Sequence, residues 1–191
     1  MEFAQLHEFM ELLGRLKHLK RTGWVLKDIK EPESIAGHMY RMAVLAMLVD
    51  NHDNMDKSKI IQMALVHDLA ECIVGDITPQ CGVPVDEKHR REDEAMIEIC
   101  NLLGDKGPEM LKLFREYELQ ESMEAKYVKD LDRLDLISQA YEYEVRDNIP
   151  GKLEEFFANS THKIEHPKIK KMASEIVARR KLLQDNNLLT N

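Results

Sequence analysis

Met63-Ala64-Leu65-Val66-His67-Asp68-Leu69-Ala70-Glu71 sets a histidine and an acid side by side within an apolar run. The spacing of that run predicts a helix with the pair inside it. Ala64 and Leu65 lie one turn before the pair, and Cys72 lies one turn after Asp68, which turns Asp68 toward a core. A buried charge costs several kcal/mol unless it is paired or bound to a metal. An acid beside a histidine in this setting needs a partner, and a divalent cation is a natural one. A second pair, His52-Asp53, sits in the polar stretch 50–56 without an apolar frame and reads as a solvated turn.

Two other polar residues lie on apolar helix faces. His38 has Ile35 three residues before it, Met42 four after and Leu45 seven after. Asp132 has Val128 four before and Leu136 four after. Either alone reads as a hydrogen-bonded core residue. Together, His38, His67, Asp68 and Asp132 fit a site for Mn²⁺, Co²⁺, Fe²⁺, Zn²⁺ or hydrated Mg²⁺, with positions open to water and a phosphate oxygen. Glu71 shares the face of His67 and Asp68, where it would orient or deprotonate an attacking water. Asp76 follows the hinge residue Gly75 and reads equally as a plain turn residue.

Outward from this stretch the periodicity is helical almost throughout. Helices are expected over residues 3–20, over 34–49 behind the cap Ser34, and to Leu69 behind the cap Asp56. Others are expected over 87–103, 108–117, 122–145, 153–158 and 167–183. Residues 21–33 form a connector, in which Trp24-Val25-Leu26 reads as a short extended piece, and 75–86 form a loop rich in Gly and Pro. Met39, Met42, Met47 and Met63 have core spacing. The expected fold is all-α, an irregular helical bundle: one domain over 1–185 with a flexible tail over 186–191.

Composition narrows the function. The 191 residues carry a net charge of −8 and 6% aromatic residues, which speaks against nucleic-acid binding. Arg15, Lys17, His18, Lys20 and Arg21 cluster, usually a solvated face, though one able to hold a small phosphorylated ligand. No apolar run spans a membrane, and the start lacks a signal peptide's features. Three cysteines without CxxC spacing fit a reducing compartment, with the cytoplasm as default.

The order His38, His67-Asp68, Asp132 resembles the H…HD…D signature of the HD-domain metal-dependent phosphohydrolases. Arg21-Thr22-Gly23-Trp24, Pro32-Glu33-Ser34 before Gly37-His38, the run from His67-Asp68 to Asp76-Ile77, and Lys126-Tyr127-Val128-Lys129-Asp130-Leu131-Asp132 are similar to the 5′-deoxynucleotidase branch, over about residues 5–175. The resemblance implies an HD-type helical fold and a homodimer hydrolysing deoxynucleoside 5′-monophosphates with Mn²⁺, Co²⁺ or Mg²⁺. It implies that His38, His67, Asp68 and Asp132 hold the metal, that Glu71 positions the water, and that Asp76 assists at the substrate. A second metal would involve Glu71, Asp76 and the Ile77 carbonyl. Arg21 and Trp24 would contact phosphate and sugar; bacterial relatives have these two adjacent, whereas Thr22 and Gly23 separate them here. A further acid corresponds to Glu116 or Glu118. Other HD activities fit less well: there is no Gly-Tyr-Pro signature, Cys72 stands where HDxxED needs an acid, and His89, His162 and His166 lack the spacing for a second iron. A silent helical scaffold is the remaining alternative, although no ligand of the pattern is missing.

Overall fold

Ser34 Oγ accepts the Gly37 amide at 3.2 Å, and Asp56 Oδ1 accepts the Lys59 amide at 3.1 Å. These caps start α3 (Ile35–Ala46) and α4 (Lys57–Val66), where short polar side chains satisfy amides that lack a helical acceptor. The computed structural model describes residues 2–50 and 53–190, without the side chains of 186–190. His52 therefore lies outside the described residues. The chain falls into two compact units, Met1–Lys126 and Tyr127–Asn191.

The first unit begins with α1 (Phe3–Leu16), and α2 (Thr22–Val25) is a single turn inside the connector. After α3 and α4 come α5 (Glu71–Val74), α6 (Val85–Asn101) and α7 (Gly107–Leu119). Helix α4 packs on α3 and α7, α6 packs on α7, and α5 is flanked by α1 and α6. Leu12, Leu16, Ile35, Met39, Leu69, Met96, Ile99 and Phe114 meet in the core. Helix α7 starts at Gly107 because only glycine fits there: a Cβ would overlap the Cys100 carbonyl. Among the described residues there is no strand, only a bridge between Lys20 and Ser34. The all-α expectation holds.

Three local expectations are corrected by packing. Helix α4 does not run through His67-Asp68 but stops at Val66, with His67 as its C-cap. Short-range bonds from Leu69 N to Val66 O, Glu71 N to Asp68 O and Cys72 N to Leu69 O tighten the chain into a turn before α5. Val66, Leu69, Ala70 and Cys72 all enter the core through that turn. Trp24-Val25-Leu26 is helical rather than extended, because this turn buries the indole and lets Nε1 donate to Glu33 Oε1 at 2.8 Å. Met47 is exposed, whereas Met39, Met42 and Met63 are buried.

The second unit holds most of α8 (Met123–Arg146), then α9 (Glu154–Ser160) and α10 (Pro167–Thr190). Its interior carries a satisfied ion pair: Arg180 grips Glu144 at 2.7 and 2.9 Å and stacks 4.0 Å over the Phe157 ring. Asp130 Oδ2 accepts the amides of Glu165 and His166 at 2.8 and 2.7 Å, just ahead of α10. Backbone helix continues to Thr190, where the sequence suggests a tail from 186. No helix is long and apolar enough to cross a membrane.

Candidate active site

The tight turn after α4 and the first turns of α3 place two imidazoles beside one carboxylate. His38 and His67 are both buried, their ring centroids 5.4 Å apart in an edge-on arrangement. Asp68 Oδ2 lies 3.6 Å from His38 Nε2 and 3.3 Å from His67 Nε2. His67 Nδ1 sits 3.0 Å from the Ala64 carbonyl, so Nδ1 carries the proton and donates, leaving the Nε2 lone pair turned inward. Tyr117 packs edge-on against this ring at 5.0 Å and fixes its plane. Apart from facing Asp68, His67 Nε2 has no hydrogen-bond partner among the described residues, and neither does the buried Glu71 Oε2. Buried lone pairs left without donors, on two nitrogen and oxygen ligand types, suit a divalent cation.

Charge is arranged around this point. Arg21 NH1 donates to Asp68 Oδ2 at 3.4 Å, and its Nε lies 4.0 Å from Glu33 Oε1. Burial opposes the Asp68 charge, but the neighbouring His67 and His38 imidazoles and the Arg21 guanidinium outweigh it and hold this carboxyl well below the usual range. Burial, joined by the charges of Asp68 and Asp76, pushes Glu71 well above its usual range against the pull of Arg21. Asp76 is raised by burial too, while Arg21 and the Thr22 amide work the other way. One carboxyl is thus held ionised beside another that takes up a proton more readily.

Thr22 latches the connector to the loop after α5. Its amide donates to Asp76 Oδ2 at 2.6 Å and its hydroxyl donates to the Asp76 carbonyl at 2.8 Å. Gly75 precedes Asp76 at φ 78° and ψ 168°, backbone that only glycine adopts freely. The half-buried Ile77 continues this loop.

Of the expected residues, Arg21, His38, His67, Asp68, Glu71 and Asp76 are thus drawn to one place in the first unit. Arg15, Lys17, His18 and Lys20 are exposed, leaving Arg21 as the member of the basic run that enters the site. Trp24 is 1% exposed and meets Glu33. Asp132 lies in the second unit, on α8, its Oδ2 accepting from Lys129 Nζ at 2.9 Å. Glu116 and Glu118 part company: Lys59 Nζ binds Glu116 at 2.5 Å, whereas the charge of Glu118 acts on Lys88 and Glu92, which also feel Asp68. Sequence reasoning assigned no role to Tyr117 and did not foresee the burial of Glu92. Only the four-residue spacing of Lys88 and Glu92 was a visible signal.

A buried histidine pair around the aspartate of a His-Asp dipeptide, on an all-helical frame, defines a class of metal-dependent hydrolytic fold. Residues 13–173 match the HD domain family model, and the chain belongs to that family. It is 49% identical over 178 residues to the 5′-deoxynucleotidase HDDC2 of Mus musculus, covering 93% of this chain and 89% of that protein. The human 5′-deoxynucleotidase HDDC2 is 48% identical over 176 residues, covering 92% and 86%. The crystal structure of the PH0347 protein from Pyrococcus horikoshii is similar with a TM-score of 0.71 at 34% identity, covering 92% of this chain and 98% of that one.

Proposed function

We propose that this protein is a divalent-metal-dependent 5′-deoxynucleotidase that hydrolyses deoxynucleoside 5′-monophosphates to deoxynucleosides and phosphate. The observation that carries this reading is the convergence of His38 and His67 on Asp68 next to the protonatable Glu71 and the cation Arg21. The names of the relatives support it. His38, His67 and Asp68, with Asp132 as the fourth ligand of the family pattern, would hold a cation such as Mn²⁺, Co²⁺ or Mg²⁺. Glu71, Asp76 and the Ile77 carbonyl are the candidates for a second cation. Such a cation, when bound, would polarise the phosphoryl oxygens and would supply hydroxide near neutral pH.

The remaining steps belong to this chain's own side chains. The Nδ1 bond to Ala64 keeps His67 in the tautomer that offers Nε2. Glu71 orients the water and accepts its proton. Arg21 clamps the phosphate dianion. Asp76, steadied by Thr22, assists at the substrate. Trp24 shapes the sugar wall from behind, through Glu33, and so excludes the ribose 2′-hydroxyl. The protein works as a homodimer on a small-molecule substrate, in the cytoplasm by default, with neither nucleic acid nor membrane as partner.

The test strips the protein with a chelator, restores Mn²⁺, Co²⁺, Mg²⁺ or Zn²⁺ in turn, and measures phosphate release from dAMP and AMP beside Asp68→Ala. Metal-dependent release that favours dAMP and disappears in the variant is expected. Equal release from both nucleotides removes the sugar-wall role of Trp24. No release with any metal refutes the phosphohydrolase reading.

A further inference from the structure

Helix α6 brings a second cation to this site. Lys88 and Glu92 lie one turn apart, and Lys88 Nζ meets Glu92 Oε1 at 2.7 Å and Oε2 at 2.9 Å. The pair is asymmetric in burial: the Glu92 side chain is 6% exposed and that of Lys88 32%. An ordinary i,i+4 pair on a helix surface keeps both partners in water. Here a carboxylate has been taken inside, where it needs a counter-charge, and the ammonium is left at the rim.

Helix α6 packs on α5, the short helix that opens at Glu71 and leads into Asp76. Burial works against the Lys88 charge, but the bonded Glu92, with Asp68 and Glu118 behind it, outweighs it, and Lys88 acts in turn on Asp76. These acids come from α6, the turn after α4, α7 and the loop after α5. Asp68, Glu71, Asp76 and Glu92 gather here, against which the first unit sets Arg21 and Lys88. A phosphate monoester brings two further negative charges into this acidic surround, where each added positive side chain eases its approach.

We propose that Lys88 is a substrate-binding residue that contacts the 5′-phosphate, with Glu92 as the buried counter-ion that holds the ammonium at the rim until the phosphate arrives. The proposal rests on the phosphohydrolase reading above. A flexible four-carbon stem lets an ammonium swing from a carboxylate to a phosphate without a change in the backbone.

Steady-state kinetics of the metal-loaded enzyme test it, with dAMP as substrate and with inorganic phosphate and deoxyadenosine as separate inhibitors. Lys88→Met should raise KM for dAMP about tenfold, the worth of one charge-assisted contact. It should weaken inhibition by inorganic phosphate in the same proportion and leave inhibition by deoxyadenosine at its wild-type value. Lys88→Arg, which keeps the charge, should recover most of the KM, and it serves as the reference if Lys88→Met folds poorly. A Lys88→Met enzyme with wild-type KM and phosphate inhibition overturns the proposal. So does equal weakening of both inhibitors with a lowered melting temperature, which marks a merely structural pair. An inactive wild type would instead refute the phosphohydrolase reading itself, so the two failures are distinguishable.

Discussion

Thr22→Val separates the latch on Asp76 from everything else at the site. Valine keeps the shape, the β-branch and the backbone amide of threonine, so the 2.6 Å bond from Thr22 N to Asp76 Oδ2 survives. What disappears is the hydroxyl that donates to the Asp76 carbonyl at 2.8 Å, a neutral, partly buried bond spanning 54 residues of chain. Such a bond is worth about 1 kcal/mol net, and up to about 3 kcal/mol if the carbonyl is left without a donor. For a chain of this size, each kcal/mol lowers the melting temperature by about 2–4 °C. The same loss lets Asp76 drift relative to Arg21 and Glu71. If 1 kcal/mol of that is felt in the transition state, kcat/KM for dAMP falls about fivefold. Thermal unfolding and steady-state kinetics on the same preparations check both numbers, with Thr22→Ser as the rescue that restores the hydroxyl. Wild-type melting temperature and wild-type kcat/KM in Thr22→Val would refute the latch.

Gly107→Ala drives a methyl group into the Cys100 carbonyl, which is backbone and cannot rotate away, so α6 and α7 must separate. A loss of about 3 kcal/mol is expected in urea unfolding, and an unchanged midpoint would show that the joint gives freely. Arg115 grips Asp93 through two bonds of 2.7 and 2.8 Å between α7 and α6, and the hydrogen bond from Arg115 holds the Asp93 carboxyl below its usual range. A lowered carboxyl stabilises the fold above its unfolded value and ceases to do so as pH falls. The melting-temperature difference between wild type and Asp93→Asn should thus be present at pH 6 and close below about pH 4, and a difference that widens in acid would contradict the pairing. Its size stays under about 1 kcal/mol, because the pair is well exposed.

Local chemistry was legible from residue order. Ser34 and Asp56 cap helices because a short oxygen-bearing side chain reaches an amide three residues on, an event that needs no knowledge of the rest of the fold. His38 and Met42 share a buried face of α3 because the helical period dictates it. The all-α class followed from the same periodicity, and the structure agrees on it.

The helix break at His67 was not legible, because the apolar run there satisfies helical spacing and only core packing of Leu69, Ala70 and Cys72 favours the tighter turn. Nor could spacing tell Glu116 from Glu118. Two residues apart on one helix, they face different neighbours, and Lys59 claims the first. The bond between Thr22 and Asp76 and the burial of Glu92 belong to the same category. Sequence by itself determined which residue types stand ready for chemistry and which helix faces carry them, since these follow from interactions a few residues long. Tertiary structure alone decided which of them meet, which carboxyls are desolvated and which cation each one faces. Those outcomes depend on contacts between segments tens of residues apart, whose distances no local pattern encodes.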